Sequence, residues 1–420
     1  MTQDLSMLDR GADGDQEVPF PIEDIIYSRT DPRGVILSAN LIFERMSGHG
    51  AAEWCNTPHR FVRHADMPKG FFHIFWDELR QGRPLLGYIK NRTRTGGHYW
   101  TFACAVACEG GYFSARVRPL SPLFDLMRAE YAALLILEEA EKLSAQDSAV
   151  VFLDRLKQLG YRSYAEFMAH AAAEEECARR QSLGGTAEAS DDHICTLSRI
   201  LADAQVQQDH LVALFADLRL LPVNMRLVAA RIEPQGGPIS QISVNYKIAS
   251  DEITRRLSSY VTGDANLCGQ LAIAVRHSLV LTHCANLLIE LVERPRFLTL
   301  SHPLPRIMTE ADILRQVEQL CAERARAALD GSAGLARRLA EASHDVRRMV
   351  LGLDTIRILG RVESRRDRLS ESSLTATIDQ IDKVQAEISA SLKRLTDLTA
   401  TILTLLVSLR GGAPVRLVAE

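Results

Sequence analysis

The feature that most constrains this chain is an abrupt change of periodicity at Pro119-Leu120-Ser121-Pro122. Before it, short β-rich runs alternate with Gly turns, and Trp54, Trp76 and Trp100 all fall there. After it, apolar residues recur at helical spacing almost to the end. Alternation puts neighbouring side chains on opposite faces of a sheet, whereas a period of about 3.6 lines them along one stripe of a helix. No single element satisfies both patterns, so the chain must divide. The expected fold class is an α+β N-terminal domain followed by an all-α antiparallel helical bundle or coiled coil. The expected segments are a disordered leader at 1–19, the sheet-bearing domain at 20–121, connecting helices at 122–191, the bundle at 192–410 and a tail at 411–420.

Within the helical part, the pattern predicts helices at 123–143, 148–159, 163–180, 192–220, 239–259, 266–292, 309–329, 333–363 and 370–409. Gly160 stops the second, and Ser163 with Glu166 starts the third as a capping box. Helices this long bury little surface alone, so they need partners along their length. Glu138-Glu139 and Glu174-Glu175-Glu176 are expected to be solvated faces.

A length of 420 residues has room for two or more domains. The formal net charge of -4 gives no electrostatic reason to bind nucleic acid or an anionic membrane. No uninterrupted apolar run reaches about 18 residues, so no membrane span is expected. The N-terminus lacks a basic start and an apolar core, so no secretory signal is expected. Eight scattered cysteines without a CxxC pair read as reduced, buried thiols in a cytoplasm. The helical region has no Gly-rich nucleotide loop, histidine-kinase motif or cyclase motif, so no enzyme is expected.

The chemistry concentrates in Phe61-Val62-Arg63-His64-Ala65-Asp66-Met67-Pro68. Three ionisable groups lie within four positions and are stopped by a proline. They form either a solvated turn or a cluster turned into a pocket, where Arg63 and His64 donate to an anionic or carbonyl-rich ligand. Arginine suits such a ligand because its donors form a fixed fork. Asn40 and Asn91 each offer a donor and an acceptor. Trp76 and Trp100 read equally as flat pocket walls or as core.

Together with Ser28-Arg29-Thr30-Asp31-Pro32-Arg33-Gly34-Val35-Ile36 and Lys90-Asn91-Arg92-Thr93-Arg94-Thr95-Gly96-Gly97-His98-Tyr99-Trp100, this run resembles the PAS sensor domain of bacterial aerotaxis receptors. The resemblance covers roughly residues 20–120. It implies a small antiparallel sheet cupping one ligand, flavin adenine dinucleotide (FAD), and sensing of redox state or oxygen. Carried over by position, Arg63, His64 and Asp66 support the flavin, with Ala65 in place of the family's proline. Asn40, Trp76, Asn91 and Trp100 match further family positions around the ligand. A LOV-type photosensor would need a differently ordered cysteine motif than Cys55-Asn56 supplies. Haem is the rival cofactor, with His73 or His59 as ligand, and a cofactor-free PAS adaptor or scaffold is the third reading.

Leu221-Pro222-Val223-Asn224-Met225-Arg226-Leu227-Val228-Ala229-Ala230-Arg231-Ile232-Glu233 resembles the hairpin tip of methyl-accepting chemotaxis proteins. Asn224, Ala229, Ala230 and Arg231 keep that pattern, while Val228 replaces the tip glutamate and Pro222 enters the turn region. The resemblance implies output through protein contacts, with contact to the chemotaxis kinase weakened. Residues 351–363 echo 221–233 at a constant offset, Leu221 to Leu351 and Arg231 to Arg361. One chain is therefore expected to supply two hairpins, with signalling partners on the helical region and a possible homodimer through the PAS domain.

Overall fold

The computed structural model describes residues 16–184, 189–232, 237–258, 266–294, 310–364 and 371–411. Most of the expected leader (1–15), the tail (412–420) and the proline-containing turn at 295–305 lie outside the described residues. The N-terminal part is a five-stranded antiparallel sheet in the order β2-β1-β5-β4-β3. Its strands are β1 (Ile26–Thr30), β2 (Ile36–Ala39), β3 (Leu85–Arg92), β4 (His98–Cys108) and β5 (Gly111–Val117). Between β2 and β3 run α1 (Leu41–Ser47), α2 (Ala51–Trp54), a 3-10 turn (His59–Val62) and α3 (Lys69–Arg80). This is a PAS-like α+β arrangement, followed by a long region that is helical throughout its described elements.

Register decides which side chains share a face. Asn91 stands opposite Tyr99 and Lys90 opposite Trp100, while Ser114 is opposite both Ser28 and Ala105. Because successive residues alternate, Asn91, Ser28 and Ser114 fall on the inner face, towards α3, and Lys90 and Trp100 on the outer face. The outer face is covered by helices rather than solvent. Trp100 packs against Phe124 and Tyr131, and Tyr88 against Phe124 and Phe167. Phe102 meets His283.

Those helices are α4 (Pro122–Ala140), α6 (Tyr164–Ser182), α9 (Leu267–Glu293) and the start of α10 (Glu310–Ser364), while α5 (Ala145–Gln158) packs against α3. Ser144 and Ser163 cap α5 and α6, each accepting a backbone N–H three residues on. Two acidic clusters depart from the solvated expectation. Glu138 of α4 is buried and accepts from the backbone N–H groups of Lys69 and Gly70 and from the Ser148 hydroxyl, so it caps α3. Glu175 of α6 is buried and accepts from Leu120 and Ser121 N–H and from the Tyr88 hydroxyl. A carboxylate facing unsatisfied N–H groups is stabilised by charge-assisted hydrogen bonds, which is why these glutamates turn inward.

By contacts the chain forms two units. The first takes the described residues up to Cys195 with Arg276–Ala327, and the second comprises Thr196–Val275 and Ala328–Gly411. The expected boundaries placed all of 192–410 in the bundle, whereas 276–327 packs with the sheet-bearing unit. α9 is long and apolar enough to cross a membrane by length and composition, and 67% of its apolar window is buried. Its second half is spent on packing: Arg179 of α6 pairs with Glu290 at 2.5 Å, and Cys284 touches Cys104 of β4. Cys104 and Cys284 are free thiols as expected, but Cys177 is joined in a disulfide.

The second unit is built from α7 (Ala189–Ile232, entered at Thr196), α8 (Pro238–Ser258), the later part of α10 and α11 (Glu371–Gly411). Pro222 lies inside α7, past the predicted end near residue 220, and its carbonyl accepts from Ser243 of α8. α10 runs unbroken through Gly331 and Gly334, where two helices were expected. Glycine costs about 1 kcal/mol in a helix, and the apolar stripe along both sides of this pair outweighs that. Ser243 against Pro222 and Val228 against Ile239 make α7/α8 an antiparallel hairpin. Arg361 pairs with Asp379 and Asp382, which makes α10/α11 a second one. Ile239 packs on Ile378, so the two hairpins turn at the same end. The segments 221–233 and 351–363 therefore each precede a hairpin turn.

Candidate functional site

A cavity opens on the inner face, between the sheet and α3. Its aromatic wall is Phe72, Phe75 and Trp76 of α3 with Tyr112 of β5. The spacing of 72, 75 and 76 puts all three on one side of the helix. Its polar lining is Ser28, Thr30, His59, Arg60, Arg63, Asn91, Ser114 and Arg116, and no Asp or Glu is among the lining residues. Trp76 closes one end against the β1–β2 turn. Gly34 there has φ +79°, and a Cβ on it would come within 2.8 Å of the indole. Glycine is therefore demanded by both the left-handed backbone and the ring.

Arg116 is the electrostatic centre of the site. It is buried on β5, donates to Ser28 Oγ at 3.0 Å and to His59 Nε2 at 2.7 Å, and leaves Nε without a partner. No carboxylate pairs with it among the described residues. Burial lowers its pKa to about 10. Burial, and then the Arg116 charge, push His59 well below its ordinary value, so His59 is neutral and its Nε2 is the acceptor. Arg63 lies with its guanidinium 3.6 Å from the Phe72 ring centroid, a cation–π contact inside the cavity. Burial and then Arg60 lower its pKa. Asn91 forms a backbone bridge with Arg63, and its amide nitrogen makes only long contacts, 3.4 Å and 3.5 Å. Such contacts are weak and leave that donor open to a better partner.

Of the residues expected around a ligand, Arg63, Trp76 and Asn91 line this cavity. The others do not, for reasons of register. Trp100 and Lys90 point to the outer face, where Asp66 pairs with the Lys90 ammonium at 2.7 Å. His64 turns the same way: its Nδ1 accepts from Asp66 N–H and its ring lies 5.8 Å from His98. Asp66, Lys90, His98 and Trp100 line a separate cleft against α4. Asn40 is a structural lock, accepting from Tyr27 and Phe43 N–H as the cap of α1 and donating to Ile25 O. Arg116, Ser28 and Ser114 were missed. In sequence, Ser114-x-Arg116 looks like the polar, solvent-facing half of an alternating strand, and only the tertiary structure turns that half inward.

The sheet order, the α3 wall and the enclosed inner face together make a PAS-like α+β domain. The chain is similar to the aerotaxis receptor of Escherichia coli (strain K12), 38% identical over 124 residues, which is 28% of this chain and 24% of that protein. It is also 32% identical over 75 residues to the nitrogen fixation regulatory protein of Klebsiella oxytoca, covering 18% of this chain and 15% of that protein. The chain thus spans a quarter or less of the length of these curated relatives. Among solved structures, a fungal LOV domain photoreceptor aligns at 17% identity and a TM-score of 0.20, over 24% of this chain and 75% of that one. No family model matches.

Proposed function

We propose that the inner cavity binds a flavin, FAD as the aerotaxis resemblance implies, and that the protein is a cytoplasmic redox or oxygen sensor that signals through protein contacts of its helical part. The observation that carries this is the convergence of Arg63, Arg116 and Asn91 on an aromatic-walled cavity that no carboxylate lines. A flavin supplies reversible electron transfer, and the hydrogen-bonding demand of its ring edge changes with oxidation state. The residues fit such a ring. Asn91 and the guanidinium groups meet a carbonyl-rich edge, while Phe72, Phe75 and Trp76 cover its face and exclude water.

The cavity has about 60 Å³ of room, whereas small-molecule sites commonly hold roughly 300 Å³ or more. Ring entry therefore requires Arg63 to leave Phe72. That displacement would pull on the Arg63–Asn91 bridge and on α3, whose first N–H groups are held by Glu138 of α4. Binding would thus reach the helices through a short, defined route.

Haem is the weaker reading. His59 faces the cavity, but its Nε2 already accepts from Arg116, and a cation at that distance opposes a metal ion. His73 does not line the cavity. The test is the absorption spectrum of the purified chain, with Arg63→Ala and Asn91→Ala beside it. A released flavin with FAD mobility, reduced at least tenfold in both variants at unchanged far-ultraviolet dichroism, is the expected result. A Soret band, or a colourless wild type that binds no added FAD, overturns the proposal.

A further inference from the structure

Two thiols meet on the outer side of the sheet. The sulfur atoms of Cys104 on β4 and Cys284 on α9 are 2.9 Å apart, across 180 residues of chain. A disulfide holds its sulfurs at about 2.05 Å, so under about 1 Å of approach separates the pair from a bond. Both side chains are buried, and both are free thiols.

Rigid elements hold them there. Alternation puts Cys104 on the outer face with Trp100 and Phe102, opposite Leu86 of β3 and Ala115 of β5. On α9, His283 meets Glu176 at 2.8 Å and the Phe102 ring edge-on. Two turns further on, Glu290 pairs with Arg179 at 2.5 Å. A single buried cysteine is an ordinary small hydrophobe. Two in sulfur contact, presented by a strand and a helix far apart in sequence, form a ready-made dithiol.

We propose that Cys104 and Cys284 form a reversible disulfide when the protein meets a peroxide, and that this bond clamps α9 to the sheet. With hydrogen peroxide, one cysteine attacks as its thiolate and becomes a sulfenic acid, and water leaves. The second cysteine attacks that sulfur, the S–S bond forms and another water leaves. Two thiols give up two electrons and two protons, and the peroxide carries both away as two waters.

The hydrogen bond from Cys104, and then burial, keep the Cys284 thiol well above its ordinary pKa. In the closed structure its thiolate is scarce and both sulfurs are shielded, so oxidation proceeds when α9 lifts from the sheet. Reclosure then seals the bond. The disulfide records openings of this interface and prevents the next one. The proposal stands whether or not the inner cavity takes a flavin.

Peptide mapping of the full chain tests this. The protein is treated with hydrogen peroxide, alkylated in denaturant and digested with trypsin. Peptide 95–116, which holds Cys104, should be recovered linked to peptide 277–296, which holds Cys284. Fragment ions should place the bond on Cys104 rather than Cys108, and dithiothreitol should remove it. Amide hydrogen exchange along α9 should slow at least tenfold after oxidation, and peroxide should leave it unchanged in Cys104→Ala. Recovery of Cys104 and Cys284 as alkylated thiols after the half-buried Cys55 has oxidised overturns the proposal. So does a bond to Cys108 or to Cys321, which is buried on α10 near Cys284, or irreversible sulfinic acid at either position. A Cys104–Cys284 bond that leaves exchange along α9 unchanged defeats the clamp.

Discussion

Arg116 and His59 set the character of the cavity one residue at a time. The guanidinium is buried without a carboxylate, and the imidazole beside it stays neutral because burial and that cation disfavour a second positive charge. His59 therefore stays unprotonated in the folded protein at pH values where it takes up a proton when unfolded. Below its ordinary pKa of 6.5 the unfolded chain binds the extra proton, so this residue's contribution to stability falls as pH falls. The slope is at most about 1.4 kcal/mol per pH unit for one proton. His59→Gln keeps an acceptor for Arg116 and removes the titration. Denaturant unfolding between pH 7 and 5 should show a shallower pH dependence in the variant. Equal slopes would mean that His59 is protonated in the fold.

At the scale of elements, α3 is the cavity wall, and what holds it is a side chain from another helix. Pro68 precedes α3 and provides no side-chain cap, so the first N–H groups turn to Glu138 of α4. Glu138→Ala leaves the Lys69 N–H and the Ser148 hydroxyl without their acceptor, while the Gly70 N–H keeps only Ser148 Oγ at 3.1 Å. Loss of a cap costs about 1 kcal/mol, and buried unsatisfied donors cost about 1–3 kcal/mol more. A loss of about 2–4 kcal/mol in unfolding free energy is expected, with Glu138→Gln retaining much of it because its amide oxygen still accepts. A change below about 0.5 kcal/mol in Glu138→Ala would show that α3 is capped by water as well.

Across the whole molecule, buried ion pairs fasten helices far apart in sequence onto the sheet-bearing unit. Glu310, at the start of α10, receives Arg29 and the Tyr27 hydroxyl from β1. Glu176 of α6 meets His283 of α9 at 2.8 Å, with Arg180 at 2.7 Å. Burial works against the Glu176 carboxylate, but the His283 hydrogen bond and the nearby arginines win and hold it at about 2, down from 4.5. A lowered carboxylate pKa contributes stability that is complete above 4.5 and lost as pH falls towards 2. By linkage this amounts to about 3 kcal/mol. Acid unfolding followed by tryptophan fluorescence reports this unit, because all three tryptophans lie in it. Glu176→Gln should flatten the transition between pH 4.5 and 2 and lower stability at pH 7. A variant with the wild-type acid profile would move the acid sensitivity to Glu310, whose carboxyl is also held below its usual value.

The sequence by itself determined the change of class at Pro119–Pro122, α+β before it and all-α after it, and the two helical hairpins that turn after residues 232 and 364. It could do so because periodicity and turn residues act over a few positions and leave their mark in the local pattern. It also singled out Arg63, Trp76 and Asn91, each carried by a motif. Only the tertiary structure decided which face of the strands looks inward, and so sent Lys90, Trp100 and Asp66 to the outer cleft and brought Arg116 into the cavity. A strand's alternation says that two faces differ, not which one will be enclosed. Likewise a pair of glutamates on a helix reads as solvated until another helix presents its bare N–H groups, as α3 does to Glu138. Burial and partnership between distant segments are properties of the packed molecule, and no local pattern encodes them.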